Sequence, residues 1–358
     1  MTSDLAPDAI GGLRFGIFDW IDHNNGLALR DIYEQRLRML ELADETGIWG
    51  YHQAEHHGTP LAVAPSPNLF LTAASQRTSR LRLGPMVQLL PLYNPLRNIE
   101  EVCFLDNISG GRLELGVGRG VSPEELEIYG LTSDEARARY GECFEILMQG
   151  LTQPEVNYEG AYYSIKHAPM TIRPLQQPHP PLWYPTSNPE RVTWVAERGF
   201  HTLFGFSLTG PDIIAAGVTQ YRATLAALGA AGRKPLGHEA MLGATRHVYV
   251  DETDEKAMDV ARAAYTAFDL NFRTRPGRSP EAPSRRGDFD TALGWGGIIV
   301  GSPDTVRARA QEFLDATGIN YFVGTFAFGS LSTEQLLRSL GLFTREVIPA
   351  LKPSPQLV

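Results

Sequence analysis

Cysteine is scarce in this chain: Cys103 and Cys143 are the only two among 358 residues. Both fall in helical patterns, which excludes a disulfide-stapled scaffold and fits buried thiols in a reducing compartment. No apolar run approaches the roughly 20 residues needed to cross a membrane as a helix. Met1 to Gly12 lacks the basic start and apolar stretch of a secretory signal. A soluble, cytoplasmic protein is expected. Positive charge is also in deficit, with 32 Lys and Arg against 41 Asp and Glu, a formal net charge of −9. Nucleic-acid binders need basic stripes to meet a polyanion. The longest basic cluster, Arg273 to Arg286, is broken by Pro276, Gly277 and Pro280 and reads as a mobile loop.

What the chain has instead is a concentrated run of titratable groups. Tyr51-His52-Gln53-Ala54-Glu55-His56-His57-Gly58 follows an amphipathic helix and packs three imidazoles and a carboxylate together. If Gly50 to Glu55 is a strand, His52, Ala54 and His56 share one face and Gln53, Glu55 and His57 the other. Three readings are open: a metal gripped by His52 and His56, histidines satisfied in a core, or catalytic groups at a strand end. The order lacks the His-Glu-x-x-His arrangement and the segment sits in a strand-like slot, so no metal is expected. Three imidazoles beside Glu55 at a strand terminus favour an active site.

Hydrophobic residues at 43% are enough for a substantial buried core. Short apolar runs alternate with helical patterns almost from end to end. Strands are predicted at Leu13–Phe18, Gly50–His56, Arg80–Gln88, Leu113–Val117, Leu182–Tyr184, Thr202–Phe206, near Thr245–Val250, and at Ile319–Thr325, with helices between them. Ser302-Pro303-Asp304 is a helix start, with a capping Ser, Pro in the first turn and an acid at the positive dipole end. Eight strand–helix units define an α/β fold, a (β/α)8 TIM barrel with insertions; a doubly wound open sheet is the alternative. No linker or internal repeat divides the chain, so one domain over 1–358 is expected. Its insertions fall near 153–180, with a small hairpin, and near 274–292, a Pro-, Gly-, Ser- and Arg-rich stretch.

Two further segments point to an anion. Gly116-Val117-Gly118-Arg119-Gly120 follows the fourth strand but has Val121 where a dinucleotide fingerprint needs its third glycine. Glycines that bend the backbone and aim the Arg119 guanidinium at a phosphate are the simpler reading. Thr186-Ser187-Asn188-Pro189-Glu190 lies between the fifth strand and its helix. It reads as an ordinary N-cap or, with Arg119, as a phosphate site at a helix start.

Taken together, the chain resembles the bacterial luciferase-like flavin monooxygenases. The motifs that carry the resemblance are Glu55-His56-His57, Pro95-Leu96-Arg97-Asn98-Ile99-Glu100-Glu101, and Leu105-Asp106-Asn107-Ile108-Ser109-Gly110-Gly111-Arg112 running into Gly118-Arg119-Gly120. Trp194-Val195-Ala196-Glu197-Arg198-Gly199 and Gly301-Ser302-Pro303-Asp304-Thr305-Val306 also match. The resemblance implies reduced FMN at the C-terminal mouth of the barrel, reaction with O2 through a C4a-peroxyflavin, and oxygenation of a small organic substrate. It carries the catalytic histidine over to His56 and the FMN-phosphate contacts to Gly118, Arg119 and Arg137. The family's phosphate serine falls at Ser187, flanked by Thr186, where the luciferases have Glu, and by Asn188. Its non-prolyl cis peptide under the flavin ring falls at Met86-Val87, where two small alanines are replaced by bulkier residues.

By the same resemblance, NAD(P)H acts indirectly, through a separate flavin reductase, and a homodimer joined by the early helices is implied. A related cofactor, the deazaflavin F420, and a non-catalytic flavin-binding barrel are the alternatives. An apolar, lidded mouth is expected, since an oxygen-activating flavin needs water kept away. Trp49, Tyr51, Leu89, Leu90, Tyr93, Phe204 and Phe206 are its expected lining and Thr274 to Ala292 its lid. The substrate itself is not legible.

Overall fold

Parallel strands with both faces covered need near-continuous apolar runs, and the strands of this chain have them. In the computed structural model, which describes residues 12–355 apart from 207–208, 234–238, 278–280, 282–283 and 285–286, eight strands close into a ring. They are β1 (Arg14–Asp19), β2 (Gly50–Gln53), β3 (Arg82–Pro85), β4 (Leu115–Gly118), β5 (Leu182–Trp183), β6 (Thr202–Phe206), β7 (Leu242–Val250) and β8 (Tyr321–Thr325). Every neighbouring pair is parallel. The registers Gly16↔Gly50, Gly50↔Arg82, Leu115↔Leu182, Gly243↔Tyr321 and Arg14↔Tyr321 illustrate the ladders. Bridges Leu83↔Leu113 and Trp183↔His201 and the β6–β7 ladder complete the circle. This is the expected (β/α)8 barrel and not the open sheet.

The outer layer contains α1 (Leu29–Glu45), α2 (Pro67–Ser75), α3 (Pro95–Ile108), α4 (Pro123–Ile128), α5 (Ser133–Thr152), α6 (Pro189–Glu197), α7 (Pro211–Ala230), α8 (Asp254–Arg273), α9 (Phe289–Gly294), α10 (Pro303–Thr317) and α11 (Thr333–Leu342). Local chemistry starts them. Asn94 accepts from Leu96 and Arg97 amides, Thr132 and Glu135 form a capping box, and Ser302 caps α10 ahead of Pro303. None of the helices among the described residues is long and apolar enough to cross a membrane.

Several boundaries differ from the sequence-based expectation. The third strand is not continuous over Arg80–Gln88: it breaks after Pro85, and Gln88–Leu89 resumes pairing with β4. The intervening Met86–Val87 peptide is cis. β2 stops at Gln53 instead of His56. Ala54 still donates to Asp19 O, but the His57 amide donates to a side chain, Glu125, in place of a neighbouring strand. Ile298–Gly301 is a strand that sequence reasoning did not assign; it pairs with the second half of β7, which outruns the barrel. Residues 155–159 and 164–169 form an antiparallel hairpin before β5. The 274–292 stretch lies partly outside the described residues, and its described end contains α9, with Phe289 and Ala292 buried.

The barrel floor is aromatic. Tyr321, Trp183, Trp49 and His52 meet in its interior with ring centroids 4.9–6.4 Å apart. Glycine makes room for them: a Cβ on Gly16 would lie 1.9 Å from the Tyr321 hydroxyl. His52 Nε2 shares a 2.9 Å hydrogen bond with that hydroxyl, and burial pushes its imidazole down to about 3. Trp183 Nε1 donates to the Glu114 carboxylate, which also pairs with Arg82.

At the other end of β1, buried Arg36 is shared by Asp19 (3.0 Å) and Asp22 (3.4 Å). One guanidinium faces two carboxyls, and burial raises Asp22 to about 6. Asp22 also accepts from Asn271 of α8 and from the Gly329 amide, so the residues after β1, including Trp20, are tied to α1, α8 and the β8 exit.

Candidate active site

The C-terminal ends of the strands open into a cavity of about 1080 Å³, where barrels of this kind place their chemistry. The run that leaves β2 supplies one wall. His52 points into the barrel floor, while Ala54, Glu55 and His56 line the cavity. The two histidines that motivated the metal reading therefore end in different places. Glu55 is fully engaged: one oxygen receives the Leu89 amide at 3.0 Å and the other faces His57 Nε2 at 3.0 Å. His57 Nδ1 lies 2.8 Å from the Tyr129 hydroxyl. Glu55 and His57 thus brace the strand end and each other.

His56 has a different partner. Its Nδ1 lies 2.9 and 3.1 Å from the two oxygens of Glu125 in α4, and its ring lies against Trp20 with centroids 5.2 Å apart. Glu125 is buried, which pushes its carboxyl up. The hydrogen bonds from His56 and from the His57 amide, with Arg275 3.9 Å away, outweigh that and hold it below the usual carboxylate value. An ionised carboxylate that only accepts can orient an imidazole.

A second wall lies at the ends of β4 and β5. Gly118, Arg119, Arg137, Thr186 and Asn188 all line the same cavity as His56, Met86 and Val87. Ser187 is not part of that lining, though both of its neighbours are. Asn188 caps α6 by accepting the Arg191 amide, and Thr186 Oγ1 accepts the Asn188 amide. Arg119 is exposed and has no ion pair or hydrogen bond among the described residues. Arg137 has a loose pair, 3.8 Å, with Asp134. The Tyr140 hydroxyl, on the same wall, is buried without a partner among the described residues. Gly118 keeps the wall tight: a Cβ there would meet Val87 Cγ2 at 2.3 Å. Arg119, with no carboxylate partner among the described residues, and the loosely paired Arg137 line one cavity with the first turn of α6, an arrangement that suits a phosphate.

Between these walls the lining is apolar, from Phe18, Trp20, Met86, Val117, Phe206 and Phe272. Of the expected lining, only Leu89 and Phe206 are there. Trp49 sits at the start of β2 and therefore on the floor. Tyr51 faces the helical layer and donates to Asp19, and Leu90 is buried in that layer. Tyr93 is tied to Glu55 and Gln88. Phe204 follows inward-facing Leu203 and packs outward against Gly217 of α7; the β6–β7 register shift near Gly205 then turns Phe206, two residues on, to the cavity instead. The residues missed were Trp20, Glu125, Tyr140 and Arg275. For Glu125 a signal existed: Ser122-Pro123-Glu124-Glu125 has the composition of a helix start.

This fold and site define a class, and comparison with known proteins agrees. The sequence model of the luciferase-like monooxygenases matches residues 13–321, and the chain belongs to that family. Protein y4wF of Sinorhizobium fredii is 37% identical over 327 residues, 91% of this chain and 93% of that one. The crystal structure of monooxygenase RslO1 from Streptomyces bottropensis superposes with a TM-score of 0.83 at 27% identity, covering 94% and 99% of the two chains. The oxygenating constituent of 3,6-diketocamphane monooxygenase from Pseudomonas putida, solved in complex with FMN, matches in fold with a TM-score of 0.77 at 20% identity, covering 96% and 100%.

Proposed function

We propose that the protein is a flavin-dependent monooxygenase in which reduced FMN and O2 oxygenate a small organic substrate. The observation that carries this reading is one cavity lined by Arg119, which has no partner among the described residues, by the first turn of α6, by apolar side chains, and by His56 at its β2 side. Arg119, Arg137, Thr186 and Asn188 would hold the FMN phosphate, with Ser187 contributing through its backbone. Met86 and Val87, whose peptide is cis, would underlie the ring. Reduced FMN, when bound, supplies the electrons that activate O2, one oxygen atom going to the substrate and the other to water. Phe18, Trp20, Val117, Phe206 and Phe272 exclude bulk water from that region. His56, accessible from the cavity, moves a proton at its free nitrogen.

Reduced FMN would come from a separate reductase that consumes NAD(P)H, as suits an open cavity with no dinucleotide fingerprint. Exposed Leu69, Phe104 and Ile108 on the adjacent helices α2 and α3 support a homodimer through that face. The chain would act as a single barrel unit. F420 is the competing cofactor, favoured by Arg191 and Arg198 near Trp194 at the cavity rim, more cation than one phosphate requires.

Fluorescence-quenching titration tests the reading. FMN is expected to bind more tightly than F420, and Arg119→Ala to weaken FMN roughly 10- to 100-fold, the worth of a charge-assisted contact. No binding of FMN by the wild type, oxidised or reduced, would overturn it.

A further inference from the structure

His56 and Glu125 are 69 positions apart in sequence, yet their side chains meet at 2.9 Å. Glu125 has three demands on its two oxygens: His56 Nδ1, the His57 backbone amide at 3.0 Å, and Arg275 at 3.9 Å. The backbone amide can only donate and the guanidinium can only donate, so every neighbour asks Glu125 to be an acceptor. A neutral imidazole carries one proton. With an accepting carboxylate at Nδ1, that proton sits on Nδ1, and Nε2 is left with a lone pair. Among the described residues Nε2 has no hydrogen-bond partner, and the side chain keeps 14% of its surface exposed, toward the cavity. Trp20 packs along the ring face, and Glu55 is paired with His57 and not with His56.

We propose that Glu125 is the positioning residue of this site: it fixes His56 in the Nδ1–H form, so that Nε2 accepts a proton from the bound substrate. The inference rests on His56 acting in the proposed monooxygenase reaction. The proton leaves its donor in the cavity for Nε2, and the bonding pair stays on the donor atom. The resulting imidazolium keeps its Nδ1–H on Glu125, whose charge offsets the one just gained. The proton then passes from Nε2 to solvent as the cycle closes. Glu55 cannot take this role, since His57 and the Leu89 amide occupy both of its oxygens.

The test uses 15N-histidine-labelled protein, with the His56 signals assigned by their loss in His56→Asn, beside steady-state turnover. The wild type is expected to show the Nδ1–H tautomer at His56. Glu125→Gln keeps an acceptor, so the tautomer should persist while kcat falls about tenfold for want of the charge, with KM nearly unchanged. Glu125→Ala should lose the tautomer and about 100-fold in kcat, and Glu125→Asp should recover part of it. FMN affinity should stay within about twofold throughout, because Glu125 takes no part in the phosphate wall. A wild-type Nε2–H tautomer, or Glu125→Gln with full kcat, would overturn the inference. If the wild type binds no FMN while the tautomer responds as stated, the flavin reading fails and the positioning of His56 by Glu125 stands.

Discussion

His52 and His56 stand four residues apart in one run and end in opposite environments. His52 lies on the barrel floor, completely buried, bonded to Tyr321 and ringed by Trp183. His56 lies just past the end of the same strand, braced on one side by Glu125 and open on the other. The difference lies in the strand: β2 ends at Gln53, so His52 obeys the barrel's inward alternation while His56 belongs to the mouth. In a barrel the N-terminal face supports stability and the C-terminal face supports chemistry. Under the proposed function, one residue type serves both ends.

The sharpest way to break that contrast is to remove each histidine in turn. His56→Asn is expected to lower turnover by about 10²- to 10⁴-fold with an unchanged unfolding midpoint. His52→Ala is expected to cost roughly 2–4 kcal/mol of stability, from the cavity and the orphaned Tyr321 hydroxyl, with turnover per folded molecule preserved. Urea unfolding and steady-state kinetics on both variants check this; exchanged effects would refute the assignment of floor and mouth.

The pH dependence of stability sharpens the floor half of the comparison. The His52 imidazole falls from 6.5 to about 3 on burial. Between those values the unfolded chain binds a proton that the folded one refuses. Its contribution to stability is therefore complete above pH 6.5 and is lost progressively as pH falls toward about 3. Asp22 acts with the opposite sign, since burial raises it from 3.8 to about 6 and the folded chain takes up the proton first. The wild-type curve mixes the two, so the difference from His52→Phe is the readout. The wild type should lose stability relative to His52→Phe as pH drops from 7 to 4; a difference constant with pH would contradict it.

The smallest expected effect separates neighbours on the proposed phosphate wall. Ser187→Ala should change FMN affinity by less than about threefold, because its side chain does not line the cavity. Thr186→Ala should weaken it more. The reverse order in a binding titration would move the phosphate contact to Ser187.

Much of this was legible in the sequence, for definite physical reasons. Strands buried on both faces and amphipathic helices leave periods that local reading detects, so the eight units were countable. Arg119 and Asn188 were visible because each adjoins a strand end marked by glycine or a helix cap. Glu125 is legible only as part of a helix start; its meeting with His56 is not, since a six-residue helix brings it there from far along the chain. The aromatic lining was misassigned where the end of the strand decides: Trp49 precedes β2 and Trp20 follows β1, and composition alone does not distinguish floor from mouth. Phe204 was misassigned together with Phe206 because the register shift beside Gly205, which turns Phe206 alone to the cavity, leaves no local signal.

In the proposed function one flavin spans the cavity from the α6 first turn to His56. A crystal structure of the protein soaked with FMN tests it most directly. The phosphate is expected within hydrogen-bond reach of Arg119 and Thr186, with the ring over Met86–Val87 and its reactive edge toward His56. A phosphate seated elsewhere, or a ring turned away from His56, would contradict it.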